Sequence, residues 1–254
     1  MAKALEESVQ TYCTLSTISN EAEAALVEIL AVITGAGAGA GAGAAGEPHG
    51  LLQLIASSRD VLASTDDSVR NRGTMLLGEV LTRQPTLVVG LPPGALSTLL
   101  TFFANRCADE PCVREVLRGA RLVAEEARPD SGPAVHEALV ALVKGIFEHV
   151  HVQALALADR HNAYQIVHSA VVRLDLGPAL LGDNVLMGYV GIMDGERDPR
   201  NLRLCFSIIP VLARRHLSSS AEAEALFAVF SCYFPITFTP PPNDTVLKFS
   251  KVCI

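Results

Sequence analysis

The sequence predicts an all-α fold, a HEAT/armadillo-like α-solenoid of about four helix pairs plus a terminal helix. Three observations support this prediction. Apolar residues recur with helical spacing over most of the chain, and prolines and glycines divide these stripes into segments of ordinary helix length. An arginine also recurs near the start of every second predicted helix, at intervals of about 40–47 residues that are typical of HEAT and armadillo repeats.

The composition excludes several classes of protein. Half of the 254 residues are apolar, which is too many for a disordered chain. The 27 acidic residues outnumber the 20 lysines and arginines, and the net charge of −7 argues against a general binder of nucleic acid or anionic membranes. The six cysteines are too scattered for a disulfide scaffold, and no apolar segment suits a membrane span or a signal peptide. We therefore expect a soluble protein of the cytosol or the nucleus.

The N-terminal part predicts one helix followed by a linker. Asn20 and Glu23 have the spacing of a capping box, and Leu26, Ile29 and Ile33 share one helical face behind it. The alternating glycines and alanines that follow disfavour a helix and supply little core, so they indicate a flexible linker. The predicted domains are an N-terminal helix (1–34), a Gly/Ala-rich flexible linker (35–49), a HEAT-like helical repeat domain (50–236) and a Pro-rich connector with a truncated tail (237–254).

Beyond the linker, the apolar stripes predict about nine helices. Leu96, Leu99 and Phe103 illustrate the spacing, and similar stripes run through 135–150 and 226–233. A run of serines before the last of these helices offers an N-cap. The predicted helices are 50–64, 67–84, 94–108, 111–127, 133–150, 158–175, 178–193, 198–215 and 219–234.

Four arginines in the first turns of alternate helices suggest how the repeats stack. The positions six and ten residues after each arginine share a helical face and carry apolar residues or proline. We expect each guanidinium to reach an acid or a carbonyl of a neighbouring element and so tie the stack laterally. In an irregular helical bundle, the alternative, the spacing arises by chance and the arginines point to solvent on unrelated faces. The four repeat-stacking arginines are Arg70, Arg114, Arg160 and Arg200.

No combination of residues predicts an active site. His149 and His151 fall at a helix end, where their rings face different directions, so we interpret them as polar surface rather than metal ligands. Cys107 and Cys112 lack the spacing of zinc or cluster sites and flank a helix–helix turn, which favours half-buried small residues. Phosphate-binding and hydrolase motifs are missing from the sequence. We expect no catalytic, cofactor-binding or metal-binding residues and no enzymatic activity.

Three stretches of the second half carry a more specific resemblance. They read IFEHVHVQ (146–153), VGIMDGERDPRNL (190–202) and SCYFPITFTPPPND (231–244). They resemble the N-terminal HEAT region of the Mms-nineteen family, over about residues 51–244 and most strongly from residue 146 onward. The Gly/Ala linker looks like an insertion, and Ala156 stands where the family pattern has proline.

The resemblance implies a scaffold of the cytosolic iron–sulfur cluster targeting complex, which brings clusters to apo-proteins of DNA repair, replication and transcription. It implies partners among the other targeting subunits and the apo iron–sulfur clients, with the repeats that dock the subunits absent here. It implies no direct contact with nucleic acid or membrane. A generic HEAT interaction module, of a transport or regulatory-subunit kind, is the alternative. Our candidates for a partner surface are Asp194, Glu196, Asp198 and Asn201.

The resemblance also implies that the chain is an N-terminal fragment of a longer protein. A terminal repeat of a solenoid needs a polar outer face, because no further repeat covers it. The last predicted helix instead carries apolar residues on more than one face, including Phe227 and Phe230. We therefore expect an exposed apolar patch at this end of the chain.

Overall fold

A computed structural model describes residues 2–15, 19–35 and 49–234 of the chain. Over these residues the secondary structure is helical, without a strand, which confirms the all-α class. The helices are α1 (Ala2–Thr14), α2 (Asn20–Thr34), α3 (His49–Ser57), α4 (Arg59–Leu62), α5 (Asp67–Arg83), α6 (Pro93–Arg106), α7 (Val113–Glu126), α8 (Pro133–His149), α9 (Leu157–His168), α10 (Pro178–Leu181), α11 (Val185–Met193), α12 (Pro199–Arg215) and α13 (Ser220–Ser231).

The chain divides into two compact units, Met1–Gly145 and Ile146–Ile254. In the first unit, α5 packs along both α1 and α7, and α6 packs on α7. Glycine permits the close approach of α5 and α7, because a Cβ atom at Gly78 would lie 2.5 Å from the carbonyl oxygen of Glu115. Helices that alternate along the chain therefore lie side by side.

The second unit repeats this alternation. Helix α9 packs along α12, and α11 packs along α13. A π-helical turn, Ser169–Arg173, continues α9 and also contacts α12. Side-by-side packing of alternate helices is typical of stacked helix pairs, in which each apolar stripe is buried against the neighbouring repeat.

The N-terminal segment differs from the single helix expected at 1–34. It contains two helices, and the first was not predicted because its apolar stripe is short and interrupted by polar residues. Leu5, Val9 and Tyr12 of α1 are nevertheless buried. Helices α1 and α2 pack on α3 and α5, so they extend the helical stack of the first unit. The predicted linker, except Gly35 and His49, and the predicted tail lie outside the described residues.

The cap of α2 also differs from the expected one. Ser19, one residue before the expected Asn20, accepts a hydrogen bond from the backbone N–H of Ala22. Glu23, the expected second residue of the capping box, pairs with Arg83 of α5. At the other end of the chain, the serine cap is confirmed: Ser219 forms a capping box with the N3 residue of α13.

Three predicted helices are interrupted. The segment 50–64 breaks at Ser58 between α3 and α4, and 158–175 changes from α9 to the π-helical turn. The segment 178–193 breaks at Gly182, whose φ of 79° lies in the region that favours glycine and ends α10. Continuous apolar periodicity did not reveal these breaks, because the apolar face continues across them.

Candidate functional site

A buried carboxylate in the turn before α12 joins two helices of the second unit. Glu196 is fully buried, and Arg160 in the first turn of α9 reaches it. Arg160 donates from Nε to Oε2 of Glu196 at 2.8 Å and from Nη2 to Oε1 at 3.0 Å. It also donates from Nη1 to the carbonyl of Leu155 at 2.9 Å. One guanidinium therefore ties the turn before α9 to the turn before α12.

The environment of Glu196 favours its ionised form. Burial acts to raise the pKa of this carboxyl, but hydrogen bonds from Arg160, Asn201 and the backbone N–H groups of Asp198 and Arg197 outweigh that effect and hold the pKa below its usual range. The carboxylate in turn raises the pKa of Arg160. A buried ion pair satisfied in this way fixes the geometry of the groups that it joins, and loss of one partner leaves an uncompensated charge.

Asn201 extends this cluster within the first turn of α12. Its side chain is buried and donates to Oε2 of Glu196 at 3.1 Å and to the carbonyl of Leu157 at 3.4 Å. Its Oδ1 lies 3.0 Å from Nδ1 of His161. Two consecutive residues of α9, Arg160 and His161, thus hold the start of α12.

A second layer of polar contacts lies one helical turn further along α9. The hydroxyl of Tyr164 donates to the carbonyl of Ile192 at 3.0 Å, and burial raises the pKa of Tyr164, which keeps the hydroxyl protonated. Gln153 donates to the same carbonyl at 2.7 Å and to the hydroxyl of Tyr164 at 3.0 Å. These contacts fix the end of α11 against α9.

The first unit contains a similar arrangement around Arg70. This residue lies in the first turn of α5 and donates from Nη1 to the carbonyl of Ser64 at 3.1 Å. Its Nε lies 3.7 Å from a carboxylate oxygen of Asp109, in the turn before α7. The next residue, Asn71, accepts a weak hydrogen bond from the thiol of Cys112 at 3.8 Å. In both units, an arginine therefore donates to a carbonyl of its own preceding turn and lies near an acid of the neighbouring turn. Arg70 differs from Arg160 because its closest ion pair, from Nη2 to Oδ1 at 2.5 Å, is with Asp67 of its own helix.

The other two predicted stacking arginines are placed differently. Arg114 is exposed, and within the described ranges it makes no hydrogen bond or ion pair. The side chain of Arg200 is 53% exposed and donates to both oxygens of Asp198, at 3.2 and 3.1 Å, within the start of its own helix. The structure thus brings Arg70 and Arg160 against neighbouring turns and leaves Arg114 in solvent, because Arg114 lies on the outward face of α7.

The four candidates for a partner surface are not one surface. Glu196 and Asn201 are fully buried and bonded within the chain, so they offer nothing to a partner. Asp198 is the N-cap of α12 and accepts from the backbone N–H of Arg200 at 2.9 Å. Asp194 is exposed. The burial has a physical reason: the carboxylate and amide complete the Arg160 cluster.

Sequence reasoning missed Asp109 and Tyr164 as parts of the two clusters. A signal for the acids was present, since Asp109 and Glu196 each stand shortly before the arginine of the following repeat. Tyr164 carried no such signal, because its role depends on the carbonyl of Ile192, which only the packing of α9 on α11 supplies.

The cysteine and histidine pairs take the places expected of structural residues. Cys107 and Cys112 are buried, and burial raises the pKa of each thiol to about 12. His149 and His151 are exposed. Across the described ranges, His, Cys, Asp and Glu form no group of three or more that suits a metal ion. Nor does any helix there combine the length and apolarity needed to cross a membrane.

In comparisons with known proteins, the matching family model and the similar relatives belong to the same family. Residues 55–250 match the family model described as Dos2-interacting transcription regulator of RNA-Pol-II, MMS19_N. The chain is 36% identical over 197 residues to the mouse "MMS19 nucleotide excision repair protein homolog", covering 77% of this chain and 18% of that protein, and the human homolog gives the same values. The Arabidopsis thaliana homolog is 30% identical over 198 residues, covering 76% and 17%. The chain thus spans less than a fifth of the length of these relatives.

Proposed function

The chain belongs to the MMS19 family, and from this premise we propose that it acts as part of a non-catalytic scaffold in cytosolic iron–sulfur protein assembly. In this role it presents apo-proteins of DNA repair, replication and transcription to the targeting complex that supplies their clusters. The observation that carries the proposal is the family match over residues 55–250. The names of the matched model and relatives connect this family to transcription by RNA polymerase II and to nucleotide excision repair.

The packing of helices within each unit supports a scaffold role. Alternate helices lie side by side, and the buried polar groups around Arg160 and Arg70 tie successive turns together. Such stacks present long rows of helices whose outer faces are free for partners. On this proposal, the chain contributes recognition of clients or of repair and transcription partners, in the cytoplasm and nucleus, and holds no cluster itself.

Affinity capture tests the proposal. The tagged chain is expressed in cells and recovered with its partners, which quantitative mass spectrometry then identifies. We expect cluster-bearing DNA enzymes, or repair and transcription partners, to be enriched over a tag-only control. Recovery of transport factors alone would favour a general HEAT interaction module and would contradict the proposal.

The proposed lack of catalytic activity needs a separate measurement. Elemental analysis and absorption spectroscopy of the purified chain should find no stoichiometric metal or cofactor. A bound metal at one equivalent, removed by a substitution at the residues that ligate it, would contradict the non-catalytic account.

A further inference from the structure

Helix α12 is strongly basic in a chain that is acidic as a whole. The chain has a net charge of −7, but the 17 residues of α12 include four arginines and no acid. Arg215 pairs with Asp175 at the end of the helix. The other three, Arg200, Arg203 and Arg214, are exposed. They concentrate positive charge on one element of the second unit.

These three arginines lie on the outward face of the helix. The opposite face is buried through Cys205, Ile208 and Leu212, which pack into the core. Arg203 and Arg214 are separated by about 16 Å along the axis at the rise of an α-helix. Between them the outward face carries Ser207 and Pro210, both exposed, with the half-buried Val211 and Leu204 beside the row.

The positive charge of this row is poorly neutralised within the second unit. Arg203 makes no hydrogen bond or ion pair with any described residue. Arg214 donates from Nε to the carbonyl of Pro210, an uncharged acceptor in its own helix. Only Arg200 has a carboxylate beside it, that of Asp198, whose oxygens also accept the N-cap hydrogen bonds of α12.

Helix α9, which packs along α12, adds no exposed carboxylate. The one acid of α9, Asp159, is buried. The partly exposed side chains of α9 include His161, Gln165 and His168, which supply hydrogen-bond donors without a carboxylate. The surface that α9 and α12 present therefore suits a partner that brings carboxylates.

We propose that the outward face of α12, defined by Arg200, Arg203 and Arg214, binds an acidic, Asp/Glu-rich peptide segment of a partner protein. Guanidinium groups bind carboxylates through paired N–H donors, and exposed arginines of this kind select partners by charge. Nucleic acid fits less well, because its dense phosphates are repelled by the acidic remainder of the chain. The inference builds on the proposed scaffold role by naming the chemistry of one partner. The affinity capture described above tests the scaffold role in cells, whereas the peptide-binding test below uses purified components. Failure of one is therefore distinguishable from failure of the other.

The test measures binding of a labelled peptide to the purified chain. The probe is a fluorescein-labelled peptide of alternating Glu and Ser, about 12 residues long, enough to span the row when extended. A peptide of alternating Gln and Ser is the uncharged control, and a labelled single-stranded oligo-dT tests nucleic acid. The variant Arg200→Gln/Arg203→Gln/Arg214→Gln removes the row. The matched control, Arg59→Gln/Arg114→Gln/Arg128→Gln, changes the net charge equally at exposed arginines of the first unit.

We expect fluorescence anisotropy to show salt-dependent binding of the Glu peptide and none of the Gln peptide. The α12 variant should weaken binding at least about tenfold, and the control variant less than about twofold, with circular dichroism unchanged in both. Equal losses in both variants would show a general charge effect and overturn the proposal. So would no binding of the Glu peptide by the wild type, or tighter binding of oligo-dT through the same arginines.

Discussion

Glu196 accepts five hydrogen bonds while fully buried, so the folded state depends on its negative charge. Replacing Glu196 with Ala leaves the Arg160 guanidinium partly buried without its carboxylate. We expect a loss of about 3 kcal/mol in the free energy of unfolding, measured by urea denaturation. The exposed Asp194 supplies the control, since Asp194→Ala should change stability by less than about 0.5 kcal/mol. Equal effects of the two substitutions would show that the cluster does not stabilise the second unit.

Because of His216, we expect the stability of the second unit to fall as the pH falls. It is buried, and burial lowers its pKa below 6.5. Between the lowered value and 6.5, the unfolded chain binds more protons, so stability falls as the pH falls through this window. The variant His216→Leu should lose less stability than the wild type between pH 7 and pH 5.5.

Denaturation at several pH values checks this expectation. The variant His151→Leu, at an exposed histidine, should retain the wild-type pH dependence. His168, whose pKa is also lowered by burial, accounts for a residual dependence in His216→Leu. A pH profile of His216→Leu that superimposes on that of the wild type would rule out the assigned role.

At the scale of single elements, two glycines of α11 form a natural pair of test and control. A Cβ atom at Gly188 would overlap the ring of Phe147, whereas one at Gly191 would meet no atom within 4 Å. Gly188→Ala should therefore destabilise the chain by about 1–3 kcal/mol through overpacking. Gly191→Ala should stabilise it by about 0.5–1 kcal/mol, because alanine is the better helix former.

Thermal unfolding of the two alanine variants checks this prediction. The double variant Gly188→Ala/Phe147→Leu should recover part of the loss, since the smaller side chain makes room for the added methyl group. If Gly191→Ala lost as much stability as Gly188→Ala, the packing around α11 would differ from that in the structure.

Periodicity predicted where helices lie, but not where they break or how they are capped. The stripe of Leu96, Leu99 and Phe103 gave α6 to within one or two residues. Ser19 caps α2 instead of Asn20, and Glu23 pairs with Arg83, a contact 60 residues away that local spacing does not contain. The spacing of Asn20 and Glu23 therefore predicted the helix but neither its cap nor the partner of Glu23.

The candidate site was predictable only in part. The spacing of arginines led to Arg160 and Arg70, and the structure brings both against acids of neighbouring turns. The same spacing selected Arg114, which is solvent-exposed, because a repeat length fixes the position along a helix but not the presence of an acid opposite it. Burial of Glu196 depends on donors from its own turn and on Arg160 of α9, 36 residues away, and the contact with Arg160 is one that no single stretch of sequence reveals.

At the scale of the whole molecule, exposed aromatic side chains on and beside α13 predict self-association. Phe227 is 69% exposed and Phe234 is 40% exposed, and exposed apolar patches mark interfaces or sites of aggregation. We expect purified 1–254 to self-associate at micromolar concentrations and to bind a hydrophobic dye. Phe227→Asp should shift sedimentation toward the monomer, whereas Met187→Asp, at a residue 45% exposed on α11, should not. A wild-type monomer without dye binding would contradict this prediction.

One measurement tests the family assignment and the scaffold proposal together. Residues 51–244 replace the aligned segment of the human relative in the full-length protein, which is expressed in cells that lack the relative. Incorporation of radioactive iron into cluster-bearing DNA helicases is then measured. The account predicts incorporation restored to the level given by the unaltered human protein. A stable, normally expressed chimaera that leaves incorporation at the level of the deficient cells would contradict it.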